Sequence, residues 1–134
     1  MPISSDEIRG HTDTIILARL MEGDSYGYEI GKAVRQLSDG LYELKEATLY
    51  TAFRRLEADW LIESYWGDSE GGARRRYYRI TEKGRQAYFA GFASWRETKL
   101  IIDKLLYSGR NTDRLRRRYG VPSARLWRRS LNER

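Results

Sequence analysis

These 134 residues predict a mostly α fold with a small β-hairpin. Three observations carry that expectation. Residues 45–60 repeat apolar side chains at helical spacing, residues 61–80 read as two strand-like runs around a Gly-rich loop, and residues 81–107 carry a helix-packing seam about seven turns long.

Taken in order, residues 12–21 (TDTIILARLM) are apolar from Ile15 to Leu17, with Leu20 and Met21 one turn later. That pattern predicts a helix buried on more than one side, which in so short a chain calls for cover from a second subunit. EGDS breaks the pattern. Residues 25–38 (SYGYEIGKAVRQLS) space Ile30, Val34 and Leu37 for a second helix, with Asp24 or Ser25 as N-cap. Tyr26 and Tyr28 stand at its start, beside backbone N–H groups that favour an anion, or else packed against the core.

After the connector DGLYEL comes KEATLYTAFRRLEADW at 45–60. At 100° per residue, Leu49, Ala52, Phe53, Leu56 and Trp60 share one face, while Thr48, Thr51, Arg54 and Arg55 share the other. Guanidiniums, hydroxyls and a flank of Tyr50 and Lys45 suit phosphates and base edges rather than proton transfer. An ordinary solvated surface helix would also present charge outward. Helix, short connector and second amphipathic helix is nevertheless the helix-turn-helix order.

LIESYW at 61–66 and RRRYYRI at 74–80 flank GDSEGGA, which predicts a β-hairpin with Arg74, Arg75 and Arg76 at the end of its loop, within reach of a nucleic-acid backbone or a narrow minor groove. The hairpin makes the whole a winged helix-turn-helix. Thr81 caps a last long helix, in which Tyr88, Phe92, Trp95, Lys99, Ile102 and Leu106 alternate spacings of four and three. At roughly 37 Å it exceeds what one small domain covers, so part of the seam is expected to join two subunits. Two recognition helices roughly 34 Å apart would then match successive major-groove turns of a palindrome. The expected organisation is a winged helix-turn-helix domain at 1–80, a C-terminal dimerisation helix at 81–107 and an Arg-rich tail at 108–134, either disordered or forming short helices near 111–119 and 123–132.

Whole-chain numbers exclude several classes. No cysteine and a single histidine rule out a thiolate or histidine metal cluster, and no cofactor is expected. No apolar run approaches the roughly 20 residues of a membrane span and MPISSDEIRG has no apolar leader core, so the expectation is a cytoplasmic protein. The net charge of +6 belongs to the tail: residues 1–106 hold 16 Lys+Arg against 17 Asp+Glu, residues 107–134 hold 9 Arg against 2 acids. No phosphate loop, dinucleotide fingerprint or nucleophile elbow appears, and His11 has no partner at a recognisable spacing, so an enzyme is not expected.

GYEI at 27–30, EATLYTAFRRLE at 46–57, IESYW at 62–66, GGARRRYYRITEKGR at 71–85 and the Trp95 helix resemble the PadR family of bacterial transcriptional regulators over about residues 12–106. EATLYT, SYWGD and the Ser94–Trp95 pair are most similar to its lactococcal multidrug-resistance branch. The resemblance implies a homodimer that represses transcription from a palindromic promoter site on double-stranded DNA. It assigns DNA contacts to Tyr26, Lys45, Thr48, Tyr50, Thr51, Arg54, Arg74, Arg75 and Arg76. It further implies that Trp95 stacks a planar aromatic effector at the dimer centre, with Asp13, Thr14, Gly91, Phe92 and Lys99 around it. Three departures stand out: Ala47 and Thr51 replace a glycine and a proline common in the family, Trp60 replaces a glycine, and Lys99 replaces an acidic residue, which would repel rather than attract a cationic ligand. The alternative is a DNA-binding regulator or adaptor whose dimer interface is closed and holds no small molecule.

Overall fold

Apolar side chains at helical spacing need one surface to bury against, and here that surface is one side of a small sheet. The computed structural model describes residue 3 and residues 8–68, 71–107 and 109–120. Its elements are α1 (Thr12–Met21), β1 (Ser25–Tyr26), α2 (Gly27–Leu37), α3 (Glu46–Ala58), β2 (Ile62–Asp68), β3 (Arg74–Ile80), α4 (Glu82–Leu106) and α5 (Gly109–Tyr119). They fall into two units, Met1–Phe92 and Ala93–Arg134.

In the first unit, α1, α2 and α3 close around Ile16, Leu17, Leu20, Ile30, Leu56 and Ile62, all at most 2% exposed. Burying each such side chain stabilises the fold by about 1.5–3 kcal/mol. The antiparallel sheet runs β1-β3-β2, with Ile62 opposite Ile80, Asp68 opposite Arg74 and Ser25 opposite Tyr78. Alternation along β3 sends Tyr78 and Ile80 inward. The Tyr78 ring stacks on Phe53 of α3 at 3.9 Å between centroids, joining the wing to the helix that precedes it. Burial raises the Tyr78 phenol above its ordinary pKa, although Arg76 nearby works the other way.

The elements follow the sequence expectation closely, with instructive exceptions. Strand β1 has no counterpart in that expectation. Neither Asp24 nor Ser25 caps α2; Tyr26 occupies that position with extended backbone, and the Ser25 hydroxyl donates to Glu29 at 2.7 Å. Leu37 is 65% exposed rather than buried, because α2 ends there and the chain turns away. Thr81 does act as a cap, accepting the Gly84 N–H at 3.0 Å while its own hydroxyl donates to the Trp60 carbonyl at 2.7 Å. That threonine ties the start of α4 to the corner after α3.

Trp60 departs furthest from expectation. Projected onto the buried face of α3, it instead lies beyond the helix end with φ +60 and is 73% exposed. Such a φ costs an L-residue roughly 1–2 kcal/mol that glycine does not pay. Trp60→Gly should therefore raise stability by about 1 kcal/mol and the melting temperature by about 4 °C, read by thermal denaturation.

In the second unit, Leu100, Leu105 and Leu106 of α4 are 59%, 74% and 67% exposed, an apolar surface out of keeping with an isolated helix in water. Helix α5 matches the expectation near 111–119, whereas the helix expected at 123–132 lies outside the described residues. No helix among the described residues is long and apolar enough to cross a membrane.

Candidate nucleic-acid interface

Because Leu49, Ala52, Phe53 and Leu56 are buried, the rotation of α3 is fixed and its opposite side must face outward. Lys45 occupies the N-cap with extended backbone, and Thr48, Tyr50, Thr51 and Arg54 are all exposed. The Thr51 hydroxyl donates to the Ala47 carbonyl at 2.8 Å, which leaves its oxygen able to accept from a base or phosphate partner. Arg54 is exposed and makes no ion pair among the described residues, which leaves its guanidinium donors accessible to a partner. Tyr50 turns toward α2: its ring meets Phe53 edge-on at 5.9 Å, and a methyl group at Gly27 would lie 3.3 Å from its hydroxyl.

Arg55 behaves differently from its neighbour. Its guanidinium grips Asp13 of α1 in a two-pronged ion pair, Nε to Oδ2 at 3.2 Å and Nη2 to Oδ1. The carboxylate hydrogen bond raises the arginine pKa further. Asp13, expected on a ligand wall, is thus engaged by Arg55 of α3. The outward charge of α3 is narrower than its sequence implies.

The wing arginines stand in β3 itself, opposite Asp68, Gly67 and Trp66, and not in the preceding loop. Strand alternation divides them. Arg74 reaches over the Trp66 ring at 5.7 Å. Arg76, on the same side, donates to Ser64 Oγ at 2.8 Å and pairs with Glu57 of α3 at 3.5 Å. Arg75 points to the other face, where its guanidinium lies 4.6 Å above the Tyr26 ring and donates to the Tyr26 hydroxyl at 2.7 Å.

That face holds a group which sequence reasoning passed over. Tyr26, Tyr77 and Tyr65 form a chain of ring contacts at 5.4 and 5.6 Å, flanked by Arg75 and by Arg79, whose guanidinium lies 5.1 Å from Tyr65. Tyr65 donates to Asp24 at 2.6 Å, and that carboxylate raises the phenol pKa. Gly67 makes the packing possible, since a Cβ there would sit 2.6 Å from the Tyr77 ring. Positions 75, 77 and 79 alternate in β3, so their common face could have been read from the strand period. Between α2 and α3, a cleft of about 190 Å³ is lined in part by Tyr28, Lys32, Arg35 and Tyr50, adding two cations that the motif reading omitted.

The residues expected around an effector are distributed as follows. Thr14 and Gly91 are in direct apposition, because a Cβ on Gly91 would lie 2.3 Å from Thr14 Oγ1. Glycine is what lets α4 approach α1 there. Phe92 is 45% exposed and contacts Tyr88 at 6.1 Å. In the second unit Trp95 is 44% exposed and Lys99 half-buried.

Comparison with known proteins places this geometry. The family model for the transcriptional regulator PadR-like family matches residues 16–90, from the middle of α1 into α4. An uncharacterised protein of Lysinibacillus sphaericus is 46% identical over 101 residues, spanning 75% of this chain and 93% of that protein. Among solved structures, a transcriptional regulator from Clostridium thermocellum is 53% identical with a TM-score of 0.69, covering 75% of this chain and 97% of its own. A PadR family transcription regulator from Clostridium difficile is 39% identical with a TM-score of 0.65, covering 72% and 99%. The chain described here belongs to the PadR-like family of transcriptional regulators.

Proposed function

We propose that the protein is a dimeric repressor that reads a promoter palindrome through α3 and the wing. The observation that carries this reading is the outward stripe of Thr51 and Arg54 on a helix whose rotation is fixed by its core, flanked by the β3 arginines. Thr51 and Arg54 read base edges, whereas Lys45, Tyr50 and the wing touch phosphates and the minor groove. The exposed apolar side chains of the second half of α4 supply the subunit contact. Footprinting on a duplex from upstream of the protein's own gene tests the reading: two protected half-sites about one helical turn apart are expected, and an unprotected fragment would overturn it.

Tyr26 serves here as the platform for Arg75. Tyr26→Phe keeps the ring and removes the hydroxyl acceptor, so DNA affinity should fall less than tenfold, and the loss should not add to that of Arg75→Ala. A double-mutant cycle is expected to return a coupling of about 1 kcal/mol. Strict additivity would instead make Tyr26 an independent DNA contact.

A second part of the reading concerns control. Trp95 presents exposed aromatic surface on the second half of α4, which supports a planar effector stacking there and releasing DNA. Release requires the effector to prefer the dimer geometry that cannot bind the operator. Titrating planar aromatic compounds against tryptophan fluorescence should give quenching that Trp95→Ala abolishes. A flat response from every compound would favour the closed-interface alternative.

A further inference from the structure

The cations of the first 106 residues are offset by their carboxylates, 16 against 17, so the body of the protein offers a polyanion no net attraction. Residues 107–134 carry 9 arginines against 2 acids. Helix α5 carries part of that charge. Arg114, Arg117 and Arg118 are exposed and, at spacings of three and four, share one face of the helix. None of the three has a carboxylate partner among the described residues, and Arg118 lies over Tyr119 at 5.5 Å.

Two further observations narrow what this face meets. Every cation after residue 104 is arginine and none is lysine, the choice that suits the two-pronged geometry of phosphate oxygens. Leu115 and Tyr119 are the apolar side chains of α5, too little surface to anchor a helix in a bilayer by burial. The segment also stands apart from the shared family body: the family model ends at residue 90, and relatives covered over 93–97% of their own length match 75% of this chain.

We propose that α5, through Arg114, Arg117 and Arg118, forms a second, sequence-indifferent DNA-binding element, which grips phosphates while α3 and the wing choose the site. This rests on the DNA-binding reading above. The element adds salt-dependent affinity and attraction at a distance, and none of the base discrimination.

The test uses the full chain with R114Q/R117Q/R118Q, glutamine being nearly as good a helix former as arginine. Binding of wild type and variant is measured from 50 to 200 mM salt on the upstream duplex and on a random-sequence duplex of equal length. Each phosphate that is no longer neutralised lowers the slope of log affinity against log salt by about 0.9, so three shrink the salt-induced weakening over that range by about 40-fold on both duplexes. The footprint on the upstream duplex should keep its boundaries. An unchanged slope would sink the proposal and leave the repressor reading intact. So would an unchanged slope with loss of binding to phosphatidylserine vesicles, which would make the tail a membrane contact. Absence of wild-type binding to either duplex would remove both readings together.

Discussion

Gly84→Ala is expected to lower the stability of the protein by about 3 kcal/mol or more and its melting temperature by about 10 °C or more, measured by calorimetry. Alanine is ordinarily the better helix residue, by close to 1 kcal/mol, so the sign here runs against propensity. Gly84 is the buried residue of α4, and a Cβ at that position would stand 2.0 Å from the Leu61 carbonyl oxygen and 2.7 Å from Ile80 Cγ1. The carbonyl belongs to backbone that Thr81 already engages, its N–H to Leu61 O at 3.0 Å and its hydroxyl beside it. It cannot yield without opening the corner at which α3, β2 and α4 meet. The result would be refuted by a variant that melts at or above the wild-type temperature.

The second large effect is expected at Arg54. Arg54→Ala should weaken operator binding by about 1–3 kcal/mol, or roughly 5- to 150-fold, and relax the preference at one base pair of each half-site. Arg55→Ala is the informative control. Its guanidinium is occupied by Asp13 across 42 residues of sequence, so its removal should leave the salt slope and base preference unchanged. The ion pair is about half exposed on both sides, and its loss should cost at most about 1 kcal/mol of stability. Mobility-shift titrations of both variants on the same duplex decide the matter. Equal losses for the two would mean that α3 presents a diffuse charged surface and does not read bases with Arg54.

The contrast between Arg54 and Arg55 also marks how far the sequence could be read. A period of 3.6 assigns residues to sides of a helix, and it located the buried face of α3 because Leu49, Ala52, Phe53 and Leu56 all lie within the helix. It placed Arg55 outward, where the structure has it, but could not show its ion pair, because the partner, Asp13, sits on a distant element that no local pattern connects. Trp60 was carried onto the core face by extending the same period past Ala58, where the helix has stopped and φ has changed sign. The wing was legible from alternation and its Gly-rich loop. Strand β1 was not, since two residues have no period and Ser25 and Tyr26 are strand only by pairing with Tyr78 and Tyr77. The arginines of β3 were visible as a cluster, but their division between two faces required the register with β2.

Arg75 shows what that division accomplishes. A lone arginine on a protein surface samples many rotamers, and fixing it against a partner forfeits about 0.5–1.5 kcal/mol of conformational freedom. Held by the ring and hydroxyl of Tyr26, Arg75 has surrendered that freedom during folding. Whatever anion it meets finds a guanidinium already at rest, and the entropy of association is correspondingly less unfavourable.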